Sequence, residues 1–406
     1  MRVLHLTTEF PPVIYGGLGT AVGGWVGASA GSGIEVGVLL VEGPLVVRES
    51  HGYWGPREFG APAVPRVVEN EGITFFQTNW AHAAETGVSV VERFRPDIVH
   101  LHTAMLWPVA REIQRRTERP LVYHVHSVDR AEYEIGAEPN LWLAHSEAQE
   151  EAIAAAGRLI ALSESERELL ASYYPAASGR IRVVGNGIAD TDAARSALKR
   201  PRPPRARPIV LYSGRLVERK GIRDLLAAAP LVIAAVPSIR FVLVGGPPPL
   251  SGAEVARQWL PDDLAGERER IFFTGWLSPD RVAEWYRSAD VLVVPSRYEP
   301  FGMVLLEGML HGLAVVASAT GGPVEIIREG ESGLLFPPRD VAMLAEALIR
   351  VATSTELRER LGRRAAADVR ERWTWPARVR RMGEVYRELL PASRAARTSS
   401  AVLAGT

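Results

Sequence analysis

Apolar and polar positions follow two rhythms along this chain. Short apolar runs alternate with longer stretches in which apolar residues recur every three to four positions. A short continuous apolar run reads as a strand buried on both faces, and the longer period reads as an amphipathic helix. Their regular alternation predicts parallel sheets covered by crossover helices. In the first half, strands are predicted at Arg2–Thr7, Glu35–Val41, Ile73–Gln77, Asp97–His102, Leu121–His126, Arg158–Ala161 and Ile181–Val184. Helices are predicted near Trp107–Arg116, Glu147–Ala156 and Glu164–Tyr173, and the Gly-rich turn Tyr15–Gly19 opens another that runs through Gly27. Glu42–Asn70 holds Gly, Pro and aromatics without a period, which predicts a long functional loop or an insertion.

Pro201–Pro208, PRPPRARP, continues neither a helix nor an inner strand and is the expected linker. After it the alternation restarts. Strands are predicted at Ile209–Ser213, Phe241–Gly245, Ile271–Thr274, Val291–Pro295, Ala314–Ala317 and Gly333–Phe336, with helices at Ile222–Val236, Pro279–Arg287, Gly302–His311 and Val341–Ala352. The expected organisation is an N-terminal domain 1–200, a linker 201–208, a C-terminal domain 209–376, a last helix 377–390 and a disordered tail 391–406. The halves read as two copies of one architecture, an α/β arrangement of two Rossmann-like, doubly wound domains. Facing each other across a cleft, they would hold ligands at the carboxyl ends of their strands.

Composition narrows the function classes. The chain has 406 residues, 47% of them hydrophobic, enough for two cores. A net charge of zero gives no electrostatic reason to expect nucleic acid or an acidic membrane as partner. The absence of cysteine excludes disulfides and thiolate metal sites. No segment reads as a secretory signal or approaches the ~20 apolar residues of a membrane span, so a cytoplasmic enzyme is expected. Of 47 Lys and Arg residues only Lys199 and Lys220 are lysines. A lysine kept against that bias is a candidate for chemistry.

Four segments carry candidate chemistry. Ser296–Met309, SRYEPFGMVLLEGM, follows an apolar strand and opens a helix whose first N–H groups suit a diphosphate. Glu299 and Glu307, eight residues apart, are too distant for a close acid pair but could grip two ends of one ligand through its hydroxyls. A helix cap beside a solvated glutamate is the plainer alternative. Ser213–Gly221, SGRLVERKG, places Arg215 and Lys220 in one loop before a helix, where two cations would neutralise a departing diphosphate. Solvated loop charge is the alternative there. In Ile14–Gly24, Gly16, Gly17 and Gly19 permit close backbone approach, although the spacing is not that of a dinucleotide fingerprint. His100 with His102, and His124 with His126, end two strands with both members of each pair on one face. They could hold a metal of the hydrolase kind, or serve as neutral hydrogen-bonders at the strand ends.

With these motifs in order the chain resembles the family-4 retaining glycosyltransferases of GT-B fold. The matching residues are Gly214, Arg215, Lys220 and Gly221; Glu299 and Glu307 around PFGMVLLEG; GNGI at Gly185–Ile188; FTGWL at Phe273–Leu277; ADVLVVPS at Ala289–Ser296; ATGGPVEII and SGLLF within Ala319–Phe336; and HSVDR at His126–Arg130. The resemblance implies roles residue by residue. Arg215 and Lys220 would bind the donor's pyrophosphate and stabilise it as it leaves. Glu299 would hold sugar hydroxyls, helped by the backbone of Phe301, Gly302, Met303 and Val304. Glu307 would hold the ribose, Trp276 would flank the base, Gly16 and Gly17 would approach the phosphate, and His126 would contact the donor sugar. Catalysis would then rest on His126, Arg215, Lys220 and Glu299. No cofactor or metal is expected, and Asp190-x-Asp192 is read as loop chemistry rather than as a metal motif.

The resemblance implies a hexosyltransferase that takes its sugar from a nucleoside diphosphate donor with retention of configuration. ADP-glucose-using members commonly carry a lysine where this chain has Tyr15. The segment after HSVDR is similar to members acting on small acceptors. The expectation is therefore a small-molecule acceptor, with natural-product (antibiotic) assembly as its setting. The alternatives are a glycogen, glucan or maltose-phosphate synthase-like enzyme, a metal-dependent hydrolase using the H-x-H pairs, and a sugar-nucleotide-binding protein without turnover. The base, the sugar and the oligomeric state stay open, a homodimer being one option.

Overall fold

The short apolar runs become strands because a strand between two helical layers must be apolar on both faces. In the computed structural model, which describes residues 1–11, 16–42, 66–70, 72–135, 142–191, 194–195, 207–247 and 250–391, these strands form two sheets. The first contains β1 (Arg2–Thr7), β2 (Glu35–Glu42), β3 (Arg66–Asn70), β4 (Ile73–Asn79), β5 (Ile98–Leu101), β6 (Leu121–Val125), β7 (Arg158–Ala161) and β8 (Ile181–Val183), in the order β3-β4-β2-β1-β5-β6-β7-β8. All its pairings are parallel except β3 with β4.

The strand β3 corrects the reading of Glu42–Asn70 as wholly aperiodic. Val67 and Val68 pair with Phe76 and Phe75 in an antiparallel register. Two β-branched residues among polar neighbours are too short a run to signal a strand; pairing with the adjacent aromatic strand supplies the rest. Residues 43–65 of that segment lie outside the described residues, as do Ile14, Tyr15, Asp192, residues 201–206 of the expected linker and residues 392–406 of the expected tail.

The second sheet is wholly parallel. It contains β9 (Ile209–Ser213), β10 (Arg240–Val244), β11 (Ile271–Gly275), β12 (Val291–Val294), β13 (Ala314–Ser318) and β14 (Leu334–Phe336), in the order β11-β10-β9-β12-β13-β14. Strand order reverses between β9 and β12 here and between β1 and β5 in the first sheet. Each reversal is a topological switch point, where the connections leaving the two strands run to opposite faces and open a crevice.

Two compact units result, one of residues 1–133, 138–187 and 375–406, the other of 134–137 and 188–374. Val3, Val36, Val38, Ile98, Val122 and Ile160 lie in the core of the first; Val210, Phe241, Leu243, Val291, Val293 and Val316 lie in that of the second. The helix Trp375–Arg387 buries Trp375, Val379, Met382, Val385 and Tyr386. It packs on helix Gly17–Ala30, with the Trp25 and Trp375 rings edge to face at 5.2 Å. Helices at Ala83–Phe94, Asp129–Glu134, Gly252–Trp259 and Thr355–Arg372 add to those expected from periodicity. No helix among the described residues is long and apolar enough to cross a membrane.

Candidate functional site

Chemistry in the second unit gathers at its switch point. The loop after β9 carries Arg215 and Lys220, and the loop after β12 carries Ser296 and Glu299. Backbone and side-chain bonds tie the two loops together. The Arg219 carbonyl accepts from the Arg297 N–H at 2.8 Å. Arg297 grips Asp224, on the helix that follows Lys220, in a two-pronged pair at 2.9 and 2.7 Å. Gly221 is required where they meet. Its φ of 68° is left-handed, and a Cβ there would lie 1.8 Å from the Pro295 carbonyl oxygen.

On this frame Lys220 Nζ donates to Glu299 Oε2 at 2.6 Å, and Ser296 Oγ donates to the same oxygen at 2.9 Å. Glu299 is buried and Lys220 half-buried. The partners respond differently to this environment. Burial would raise the Glu299 pKa, but the charge and hydrogen bond of Lys220, the Arg219 charge and the Ser296 bond outweigh it, and the net direction is down. Lys220 is pulled from 10.5 to about 8, first by burial and further by Arg219 and Arg215, against the opposing pull of Glu299. The difference is physical, because Glu299 faces cations whereas Lys220 faces an anion and two other cations. Arg219 and Arg215 both add positive charge beside Lys220, surroundings that favour an anionic ligand.

Glu307 sits on the helix Met303–Leu310. Its Oε2 accepts from the Tyr286 hydroxyl at 2.7 Å, and burial raises its pKa against that bond. Tyr286 also bonds Ser213, at the end of β9, and the His311 ring stacks on it at 5.5 Å. Glu299 and Glu307 thus have separate anchors. Gly302 caps the helix at φ 101°, followed by half-buried Met303 and Val304. The Phe301 side chain is core, edge-on to Trp373 at 5.4 Å, so only its backbone can face a ligand. The paired glycines of ATGGP have a local cause: Gly322 N–H donates to the Glu299 carbonyl at 3.0 Å, and a Cβ on Gly321 would lie 2.1 Å from that same oxygen. Trp276 stands apart at the end of β11, two strands from β9, and is 47% exposed.

In the first unit Gly16 caps the helix that Gly17 begins, and a Cβ on either would meet nothing within 4 Å among the described residues. His126 is half-buried just past β6. It belongs to a cluster with His5, His100, His102 and His124, whose sequence neighbours in stacking lie 4.3–4.4 Å apart as ring centroids. All five sit on one face of three adjacent strands, with His5 in register with His100. Burial lowers every one of their pKa values, to about 3 for His5 and His126.

The groups His5, His100, His102 and His102, His124, His126 bring ring nitrogens close enough to suggest a metal centre. Several of those nitrogens are engaged already: His5 Nδ1 with His102 Nε2 at 2.9 Å, His102 Nδ1 with His126 Nε2 at 3.2 Å, and His100 Nδ1 with the Tyr386 hydroxyl at 2.6 Å.

Sequence reading did not single out Tyr286, Ser296, His5 or the pair Asp129–His145. Asp129 Oδ2 lies 2.5 Å from His145 Nδ1, behind the end of β6. Burial opposes charge on His145, but the bond to Asp129 and its charge outweigh it and raise the pKa. A carboxylate just after a strand end was the available signal. Asp190 is held by Arg370 at 3.1 Å and Arg195 at 2.9 Å, consistent with a loop role.

Comparison with known proteins gives the same picture from sequence descent. Residues 15–192 match the family described as Glycosyltransferase Family 4, and residues 195–368 match Glycosyl transferases group 1. A D-inositol 3-phosphate glycosyltransferase of Acidothermus cellulolyticus is 35% identical over 321 residues, covering 74% of this chain and 69% of that one. A glycogen synthase of Mycobacterium tuberculosis is 27% identical over 400 residues, covering 95% of this chain and 94% of that one. Among solved structures, a sucrose-phosphate synthase from Thermosynechococcus elongatus superposes with a TM-score of 0.74 at 24% identity, covering 96% of this chain and 98% of that one.

Proposed function

The chain belongs to glycosyltransferase family 4 and has the GT-B fold, and from that premise we propose that it moves a hexosyl group from a nucleoside diphosphate sugar to a small hydroxyl acceptor with retention of configuration. The Lys220–Glu299 pair at the switch point carries this reading. Lys220 Nζ has three donors and spends one on Glu299, leaving two for a diphosphate without breaking the pair. Arg215, whose charge already reaches Lys220, adds a second cation. The Glu299 oxygen not held by Lys220 and Ser296 accepts from sugar hydroxyls. Glu307, anchored by Tyr286, takes the ribose, and the role assigned to His126 is contact with the donor sugar.

As the bond from C1 to the diphosphate breaks, the acceptor oxygen bonds C1 on the same face and its proton passes to the departing phosphate. Lys220 and Arg215 stabilise the charge that develops there. Glu299 is cast as a hydroxyl acceptor rather than a nucleophile, with Oε2 held by Lys220 and Ser296 and the other oxygen assigned to the sugar. No step is assigned to a metal, a reading supported by the engagement of His5, His102 and His126 with one another.

The 35% identity to an inositol-phosphate glycosyltransferase supports a small, phosphorylated polyol-type acceptor. The near full-length match to a glycogen synthase supports a second reading, in which the acceptor is a glucan end. Thermal-shift screening of UDP-, GDP- and ADP-sugars identifies the donor, since bound ligand raises stability by mass action. Transfer assays with inositol phosphates and sugar phosphates against maltooligosaccharides then separate the acceptors. Product with inverted anomeric configuration would refute the retaining assignment.

A further inference from the structure

The cluster in the first unit contains a connected hydrogen-bond chain that the donor site does not account for. His5 Nδ1 lies 2.9 Å from His102 Nε2, and His102 Nδ1 lies 3.2 Å from His126 Nε2. Both nitrogens of His102 are thereby committed. Three neighbouring strands supply the three rings, His5 from β1, His102 from the end of β5 and His126 from the end of β6. His5 and His102 are buried, and His126 is the half-buried outer member. Nδ1 of His126 is the nitrogen that the chain leaves for a ligand.

Each neutral ring carries one proton, so the chain has two self-consistent arrangements. In one, every Nδ1 is protonated: His5 donates to His102, His102 donates to His126, and His126 presents an Nδ1–H donor. In the other, every Nε2 is protonated, the bonds run the opposite way, and His126 presents a bare acceptor. The inner end separates them. His5 Nε2 is buried and has no hydrogen-bond partner among the described residues. The second arrangement would bury an orphaned N–H, whereas the first leaves only an unfilled lone pair there. Orphaned buried N–H groups are the rarer of the two defects.

We propose that His5 and His102 are positioning residues that lock His126 into its Nδ1–H tautomer, so that it donates a hydrogen bond to an oxygen of the donor sugar. This rests on the reading that His126 meets the sugar. The low pKa values of all three rings support the neutral forms.

The test is a nitrogen-15 spectrum of the imidazoles in the ligand-free full chain, assigned by single substitutions. His102 and His126 are expected as single Nδ1–H tautomers, the form that free histidine populates less in water. His5→Phe keeps a ring to stack on His102 but removes the donor, and should turn His126 into a tautomer mixture. It should also lower kcat/KM about tenfold, the value of one lost hydrogen bond to the sugar. His5→Asn returns an amide N–H at the position of Nδ1 and should restore both readouts to within about twofold. UDP-glucose and ADP-glucose serve as the turnover probes. An Nε2–H tautomer at His126 in the parent protein, or an unchanged tautomer in His5→Phe, overturns the proposal. Wild-type turnover in His126→Ala would instead defeat the sugar contact, while the spectra decide the chain of bonds independently.

Discussion

Lys220 Nζ lies 2.6 Å from Glu299 Oε2, although the two residues are 79 positions apart. The lysine is one of only two in the chain, and the glutamate is buried. Their pairing joins the loops that leave β9 and β12, the two strands on either side of the switch point. Under the proposed function the pair would offer its cation to a diphosphate and its carboxylate to sugar hydroxyls.

Lys220→Ala and Glu299→Ala should each lower kcat by at least ~100-fold, about 2.7 kcal/mol of transition-state stabilisation. Lys220→Ala also leaves Glu299 buried without its nearest cation, so its melting temperature should fall as well. Lys220→Arg separates charge from shape, since a planar guanidinium cannot reproduce a compact ammonium with three donors. Steady-state kinetics and thermal unfolding measure both effects, and near-parental turnover in either alanine variant would refute the assigned role.

The pH dependence follows from Lys220. With its pKa pulled down to about 8, the free protein holds the ammonium below that pH and loses it above. Because kcat/KM reports groups of the free enzyme, it should decline about tenfold per pH unit once the pH passes about 8. For stability the sign is opposite. Between about 8 and 10.5 the unfolded chain binds the proton that the folded chain has released, so this group favours folding more as pH rises. A kcat/KM profile that stays flat to pH 10 would contradict the assignment.

Tyr286→Phe removes the hydroxyl that holds Glu307 at 2.7 Å. One lost hydrogen bond to a buried carboxyl is worth about 1–2 kcal/mol. The expected result is a rise in donor KM of about five- to thirtyfold, with a smaller change in kcat, because the ribose lies away from the reacting bond. An equal fall in kcat with KM unchanged would place Glu307 in the chemical step instead.

Gly321→Ala should destabilise the second unit by at least about 2 kcal/mol, since φ is 56° and a Cβ would meet the Glu299 carbonyl oxygen at 2.1 Å. The clash displaces the backbone that carries Glu299, so turnover should fall in the fraction that remains folded. Gly330→Ala, also at positive φ but with nothing near its Cβ among the described residues, is the control. It carries the φ penalty alone and should keep its activity.

His126→Ala should lower turnover about tenfold while leaving the affinity for free nucleoside diphosphate unchanged, because the proposed contact is to the sugar. Calorimetry with UDP and ADP, set beside turnover of the corresponding sugars, measures the difference.

Where the strands run is written in the local apolar pattern, because burial between helical layers leaves a mark on each short run. Each predicted parallel strand is present within a few residues, and Lys220 and Glu299 were legible as charged residues in Gly- and Pro-shaped turns at strand ends. Periodicity says which face of an element is buried, but not which element lies beside it. Only tertiary pairing set β9 next to β12, and so turned a lysine and a glutamate from separate loops into one ion pair. The same holds for Tyr286 beside Glu307 and for His5, an unremarkable strand residue until β1, β5 and β6 aligned it with four other imidazoles. The strand β3 escaped notice because two valines are too short a signal without the aromatic strand they pair with. Local pattern reflects the solvent preference of each residue. Partnership between distant residues depends on strand order, which the packing of the whole sheet decides.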